Sequence, residues 1–148
     1  MATTNNLLIV LNSKPELKYN HYEAYTMAWV AKKYHMVATV TLMYGPYAAE
    51  MVKKGALAGF VMTDKIKELI ASQFDDIKKG KYPDHLEQLA RFIKNKLGIS
   101  IVSCAPFHVL EGFADEIADT SQIEDFIEPV GLKKACKLML EADQILYY

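Results

Sequence analysis

Ile99-Ser100-Ile101-Val102-Ser103-Cys104-Ala105-Pro106-Phe107-His108 is the stretch whose reading decides the fold. An apolar run that follows Gly98 has the composition of a fully buried strand, and Pro106 suits the first position of a helix, where its missing N–H costs nothing. Cys104 is thereby predicted at a strand-to-helix junction. In an open parallel sheet, ligands bind outside the carboxyl ends of the strands, where helix N-termini present unpaired N–H groups and partial positive charge. A thiol there is expected to ionise more readily than a free one, which makes Cys104 the candidate nucleophile. The competing reading of the same residue is a buried cysteine that packs as a small hydrophobe.

The rest of the chain supplies the other strands. Residues 7–11 (Leu-Leu-Ile-Val-Leu) form a continuous apolar run, the pattern of a central strand covered on both faces. Residues 36–44 predict a second strand rich in β-branched side chains, stopped by Gly45-Pro46; 125–130 a weak one interrupted by Pro129; and 145–148 a terminal one. Helices are predicted between them. The first covers 21–34, with Tyr22, Tyr25, Thr26 and Trp29 on one stripe, and a short one covers 46–54. Thr63 or Asp64 caps a helix that buries Ile66, Leu69, Ile70, Phe74 and Ile77 and ends before Gly80. Asp84 and Glu87 form a variant capping box for a helix closed by Gly98. A helix over 106–118 is expected to bury Leu110, Phe113 and Ile117, and one over 131–143 to bury Leu132, Ala135, Cys136 and Met139. Alternation of this kind implies a three-layer α/β/α fold, a mostly parallel five-stranded sheet in a single domain over residues 1–148.

Composition narrows the function classes. Seventeen Lys and Arg against eighteen Asp and Glu give a net charge of −1, which offers no electrostatic footprint for nucleic acid or an anionic membrane. No apolar stretch approaches the roughly 20 residues of a membrane helix. Met1-Ala2-Thr3-Thr4-Asn5-Asn6 carries no basic region before the first apolar run, so a cytoplasmic location is expected. There the two cysteines are expected to be thiols.

Missing motifs narrow them further. No Gly-rich dinucleotide loop, Walker loop or Cys-x-x-Cys pair is present, and four scattered histidines make no metal-ligand spacing, so neither a cofactor nor a metal is expected. Cys136 falls on the apolar stripe of the last helix and is read as a packing residue, whereas Cys104 lies on no such stripe. His21 opens the first helix and His108 lies one turn beyond Cys104; either could stand near the thiol as imidazolium or base, or be a solvated helix-end residue. Asn12 and Tyr44, at the ends of the first two strands, complete the candidate binding residues. A cysteine hydrolase would need a third group to orient the base, and none is identifiable.

With the thiol so placed, the sequence resembles the DsrE/DsrF-like family of small sulfur-trafficking proteins. The likeness runs from LLIVLNS through VATVTLMYG and GISIVSCAP to IEPVG and LEADQILYY. It implies a compact α/β/α fold, homo-oligomers of three or six subunits, and a cysteine matching Cys104 that carries sulfur as a persulfide between donor and acceptor proteins or small sulfur species. Where many relatives have a second cysteine or small polar residues soon after the first, this chain has Ala105-Pro106-Phe107-His108. The alternative function is a non-catalytic oligomeric binding module in which Cys104 only packs.

Overall fold

The apolar run at 7–11 forms β1 (Asn6–Leu11), paired with β2 (Thr39–Tyr44) on one side and β5 (Gln144–Tyr147) on the other. β3 (Ser100–Cys104) adds to β2, and β4 (Glu128–Val130) adds to β3. The sheet has five strands, all parallel, in the order β4-β3-β2-β1-β5. The structure, a computed structural model, describes residues 3–148, with Lys79 by its backbone alone. Met1 and Ala2, part of the N-terminal segment on which the cytoplasmic expectation rests, and the side chain of Lys79 lie outside the described residues.

Handedness explains how the helices are shared out. From β1 through β4 the chain steps across the sheet in one direction, so right-handed crossovers place every intervening segment on the same face. That face carries α1 (Lys18–Lys33) and α3 (Leu86–Leu97), with Phe113, Ile123 and Phe126 from the segment before β4. The return from β4 to β5 reverses the direction, and α5 (Leu132–Glu141) lands on the opposite face. One face is therefore thick, and the other is covered by a single helix. Leu7, Ile9 and Leu11 point into the thick side, and Leu8 and Val10 into the thin one. Each fully buried aliphatic chain of this kind contributes about 1.5–3 kcal/mol.

Several elements are shorter than their apolar spacing predicts. β2 starts at Thr39 rather than residue 36. α2 (Asp64–Ala71) is capped by Thr63 Oγ1, which accepts from Ile66 N. It ends within eight residues because the Ser72 and Gln73 side chains turn back to donate to the Leu69 carbonyl; Leu69 itself is exposed. Phe74 and Ile77 reach the core from beyond the helix. The cap of α3 is His85 rather than Asp84: its Nδ1 accepts from Gln88 N, while Gln88 Oε1 accepts from Asp84 N. Residues 46–54 hold a 3-10 helix, Pro46–Val52.

The two largest departures concern α4 (Ala105–Leu110) and α5. Gly112, at φ +83°, closes α4 after six residues, with Phe113 N donating to the His108 carbonyl. Phe113 is buried, but Leu110 and Ile117 are exposed, Leu110 by 75%. On α5 only Ala135 is buried; Leu138, Met139 and Ala142 pack beside it. Leu132 (69% exposed), Cys136 and Leu140 (81% exposed) recur every four residues on a different face of the helix, which a lone helix lying on a sheet has no second layer to cover. Cys136 is thus a surface thiol, not a packing residue.

Tyr25 of α1 and Tyr44 of β2 join their hydroxyls in a buried hydrogen bond at the carboxyl end of the sheet. Tyr44→Phe would strand the Tyr25 hydroxyl and is expected to lower stability by about 1–3 kcal/mol. The Tyr25→Phe/Tyr44→Phe double variant, measured by denaturant unfolding, should lose less than the sum of the single ones.

Candidate functional site

Parallel register brings the ends of three strands into line: Leu11 lies opposite Tyr44, and Tyr44 opposite Ser103. Gly45 N donates to the Leu11 carbonyl at 2.9 Å, and the turn after β2 closes on Asn12, whose Oδ1 accepts from Tyr47 N at 3.0 Å. A Cβ on residue 45 would stand 2.4 Å from that oxygen, so any other residue there would displace the Asn12 side chain that accepts from Tyr47 N. Asn12 therefore shapes the rim.

Cys104 ends β3 at the strand-to-helix junction that the sequence predicts; α4 starts one residue earlier than expected, at Ala105 rather than Pro106, so Cys104 takes the N-cap position without a side-chain capping bond, and the residue is half-buried. The pleat turns it toward the thin face, where it packs with Val102, Val130 and the inward side of α5. No side-chain hydrogen bond reaches it. Burial pushes the thiol pKa up from 9.0, the reverse of the shift expected at a helix N-terminus. Desolvation is the cause: burial penalises the charged thiolate more than the neutral thiol.

The preceding residue points the other way. Ser103 Oγ and His108 Nε2 are hydrogen-bonded at 2.6 Å, both side chains are buried, and His108 stacks on Phe113 with ring centroids 5.1 Å apart. His21 is buried as well, its Nε2 3.1 Å from the Lys14 carbonyl and its ring beside Phe60. Both histidines belong to the thick side and neither is a solvated helix end. His108 is committed to Ser103, and Cys104 has no imidazolium partner. Nδ1 of each histidine is buried without a hydrogen-bond partner, so the orienting third group of a hydrolytic triad is missing at both.

Sequence reasoning names Asn12, His21, Tyr44, Cys104 and His108, and the fold does bring all five to the carboxyl edge of the sheet. It divides them, however: Tyr44, His21 and His108 lie beneath the thick layer with Tyr25 and Ser103, and Cys104 lies beneath the thin one. Sequence reasoning missed Ser103, although a two-residue period sends neighbours in a strand to opposite faces and so separates it from Cys104. Glu124, a buried carboxylate that accepts from Gly55 N at 2.6 Å and lies 3.4 Å from Arg91, carried no sequence signal; it ties the segment before β4 to the turn after the 3-10 helix and to α3. Among the described residues no group of three His, Cys, Asp or Glu side chains is placed to hold a metal ion, and no helix is long and apolar enough to cross a membrane.

Comparison with solved structures fixes the fold class independently. The chain superposes on the YchN protein from E. coli with a TM-score of 0.61, covering 97% of this chain and 99% of that one at 14% identity. No family model and no curated protein matches the sequence. The likeness is one of fold.

Burial lowers the pKa of His108, and it lowers that of His21 against the opposing pull of the Lys14 and Ser13 backbone bonds. Each binds a proton less readily folded than unfolded. Their contribution to stability is therefore complete above the unfolded value of 6.5 and is lost as pH falls below it toward the depressed folded value. The melting temperature should drop between about pH 7 and about pH 5, and His108→Gln should flatten that drop in thermal unfolding scans. Ser103→Ala, which leaves His108 Nε2 without its partner, should cost about 1–3 kcal/mol at neutral pH.

Proposed function

We propose that the protein is a DsrE/DsrF-like sulfur carrier that accepts sulfane sulfur on Cys104 and passes it to an acceptor thiol. The observation that carries this reading is the half-exposed sulfur at the carboxyl end of β3, in a fold shared along its whole length with YchN, a protein of DsrE/DsrF-like fold. In the first step the Cys104 thiolate attacks the outer sulfur of a donor persulfide; the new S–S bond forms as the donor's S–S bond breaks, and the donor thiolate leaves. In the second, the acceptor thiolate attacks the outer sulfur of the Cys104 persulfide and releases the Cys104 thiolate. No net oxidation or reduction occurs, and no cofactor is required.

The raised pKa of Cys104 shapes this chemistry. Little of the thiol is ionised at neutral pH, but its thiolate is the more nucleophilic for its high pKa and the poorer leaving group. Both properties favour holding sulfur over rapid turnover. The proposed setting is the cytoplasm, where both cysteines stay reduced. The same reading makes the protein a homo-oligomer, a trimer or hexamer, and the exposed stripe Leu132, Cys136 and Leu140 on α5 supplies an apolar surface for it.

One observation favours a second reading. Cys104 belongs to an apolar cluster, has no hydrogen-bond partner and has its ionisation suppressed, which suits a packing residue in a non-catalytic module. The thiols can be separated by working in a Cys136→Ser background, because Cys136 is exposed and reacts regardless of function. After incubation with polysulfide, mass spectrometry should show one added sulfur on Cys104, and a small thiol acceptor should remove it. An unmodified Cys104 would favour the packing module. Alkylation of Cys104 should still be accelerating above pH 9.0. Leu132→Glu/Leu140→Glu is expected to shift the mass measured by light scattering to that of a monomer.

A further inference from the structure

A cavity of about 410 Å³ opens on the side of the sheet away from Cys104, between α1, α3 and residues 76–83. Its size lies within the range of small-molecule sites. Trp29, Ile77, Tyr82, Pro83 and Phe92 make most of its apolar wall. Trp29 is held edge-on by Tyr34, Phe74 and Tyr82 at centroid distances of 5.3, 5.1 and 6.2 Å, so that wall is rigid. Phe92 is different: its ring is 40% exposed and pairs with no other aromatic ring among the described residues. Core packing leaves it unused.

The charged lining is unbalanced. Lys33, Lys78 and Lys81 face the cavity against a single carboxylate, Asp76. That carboxylate is already committed, accepting from the Tyr34 hydroxyl at 2.6 Å and pairing with Lys33 at 3.0 Å. Lys78 and Lys81 are then two cations with no ion-pair partner among the described residues. A flat aromatic wall beside two unpaired ammonium groups discriminates among ligands. A ligand that joins an aromatic face to an anionic group can use both the wall and the two exposed lysines, whereas a neutral molecule or a bare anion can use only one of them.

We infer that this cavity binds a planar aromatic molecule bearing a phosphate, of about mononucleotide size, with its ring against Phe92 and its phosphate on Lys78 and Lys81. This site is separate from Cys104 and does not depend on the sulfur-carrier reading. The protein's single tryptophan lies in the wall, so one indole N–H resonance reports on the site without interference. Titration of the intact chain with adenosine 5′-monophosphate and with 1-naphthyl phosphate should move that resonance saturably for at least one of them. Adenosine, 1-naphthol and inorganic phosphate should each bind about tenfold or more weakly than the corresponding ester.

Lys78→Ala/Lys81→Ala alters only exposed side chains and should weaken binding of the responding ester by about tenfold, with Phe92→Ala doing likewise through loss of the ring. Cys104→Ser should leave the affinity unchanged. The inference is overturned if neither ester moves the indole resonance, if the phosphate-free compound binds as well as its ester, or if the double lysine variant keeps full affinity.

Discussion

The pleat of β3 sets the terms for the rest of the molecule. Side chains in a strand alternate between faces, so Ser103 and Cys104, adjacent in the chain, belong to different layers of the protein. Ser103 enters the thick layer and finds His108. Cys104 enters the thin one and finds aliphatic side chains and a partial view of solvent. Any shift of β3 by one residue would exchange them, placing a hydroxyl against Val130 and a thiol beside an imidazole. The register with β2, in which Tyr44 faces Ser103, holds the arrangement in place.

Beneath the thick layer the carboxyl edge of the sheet is unusually polar for a buried region. The Tyr25–Tyr44 and Ser103–His108 pairs and His21 gather there, and each polar atom that lacks a partner carries a desolvation penalty. A network of this kind stabilises little in net terms but penalises every other packing, because a displaced hydroxyl or ring nitrogen has nothing else to bond. Burial also raises the pKa of both tyrosines and lowers that of both histidines, so these groups remain neutral around pH 7. The region behaves as a neutral, hydrogen-bonded platform supporting the rim on which Cys104 sits.

The thin layer has the opposite character. One helix covers it, through Ala135 and its neighbours, and the outward stripe of that helix stays apolar. Cys104 is partly exposed there, and burial raises the pKa of its thiol. Its microenvironment is set by β3, β4 and α5 together, and a subunit packed on α5 would alter it.

Local sequence was sufficient wherever one residue controls one backbone decision. The run at 7–11, the strand before Cys104, a cap at Thr63 or its neighbour Asp64, Gly98 as a stop, and Pro129 confined to an edge strand all follow from hydrogen-bond supply and side-chain period within a few residues. The parallel sheet follows from the alternation of strands and helices. Tertiary structure alone decided which apolar stripe met a partner. Leu110, Ile117 and Cys136 have helical spacing or hydrophobic character but no layer above them, while His21 and His108, polar by type, were drawn inside by a carbonyl and a serine hydroxyl. The sign of the Cys104 shift was likewise beyond the chain's reach: it depends on how much solvent several distant segments remove from one sulfur, a sum that no window of sequence contains.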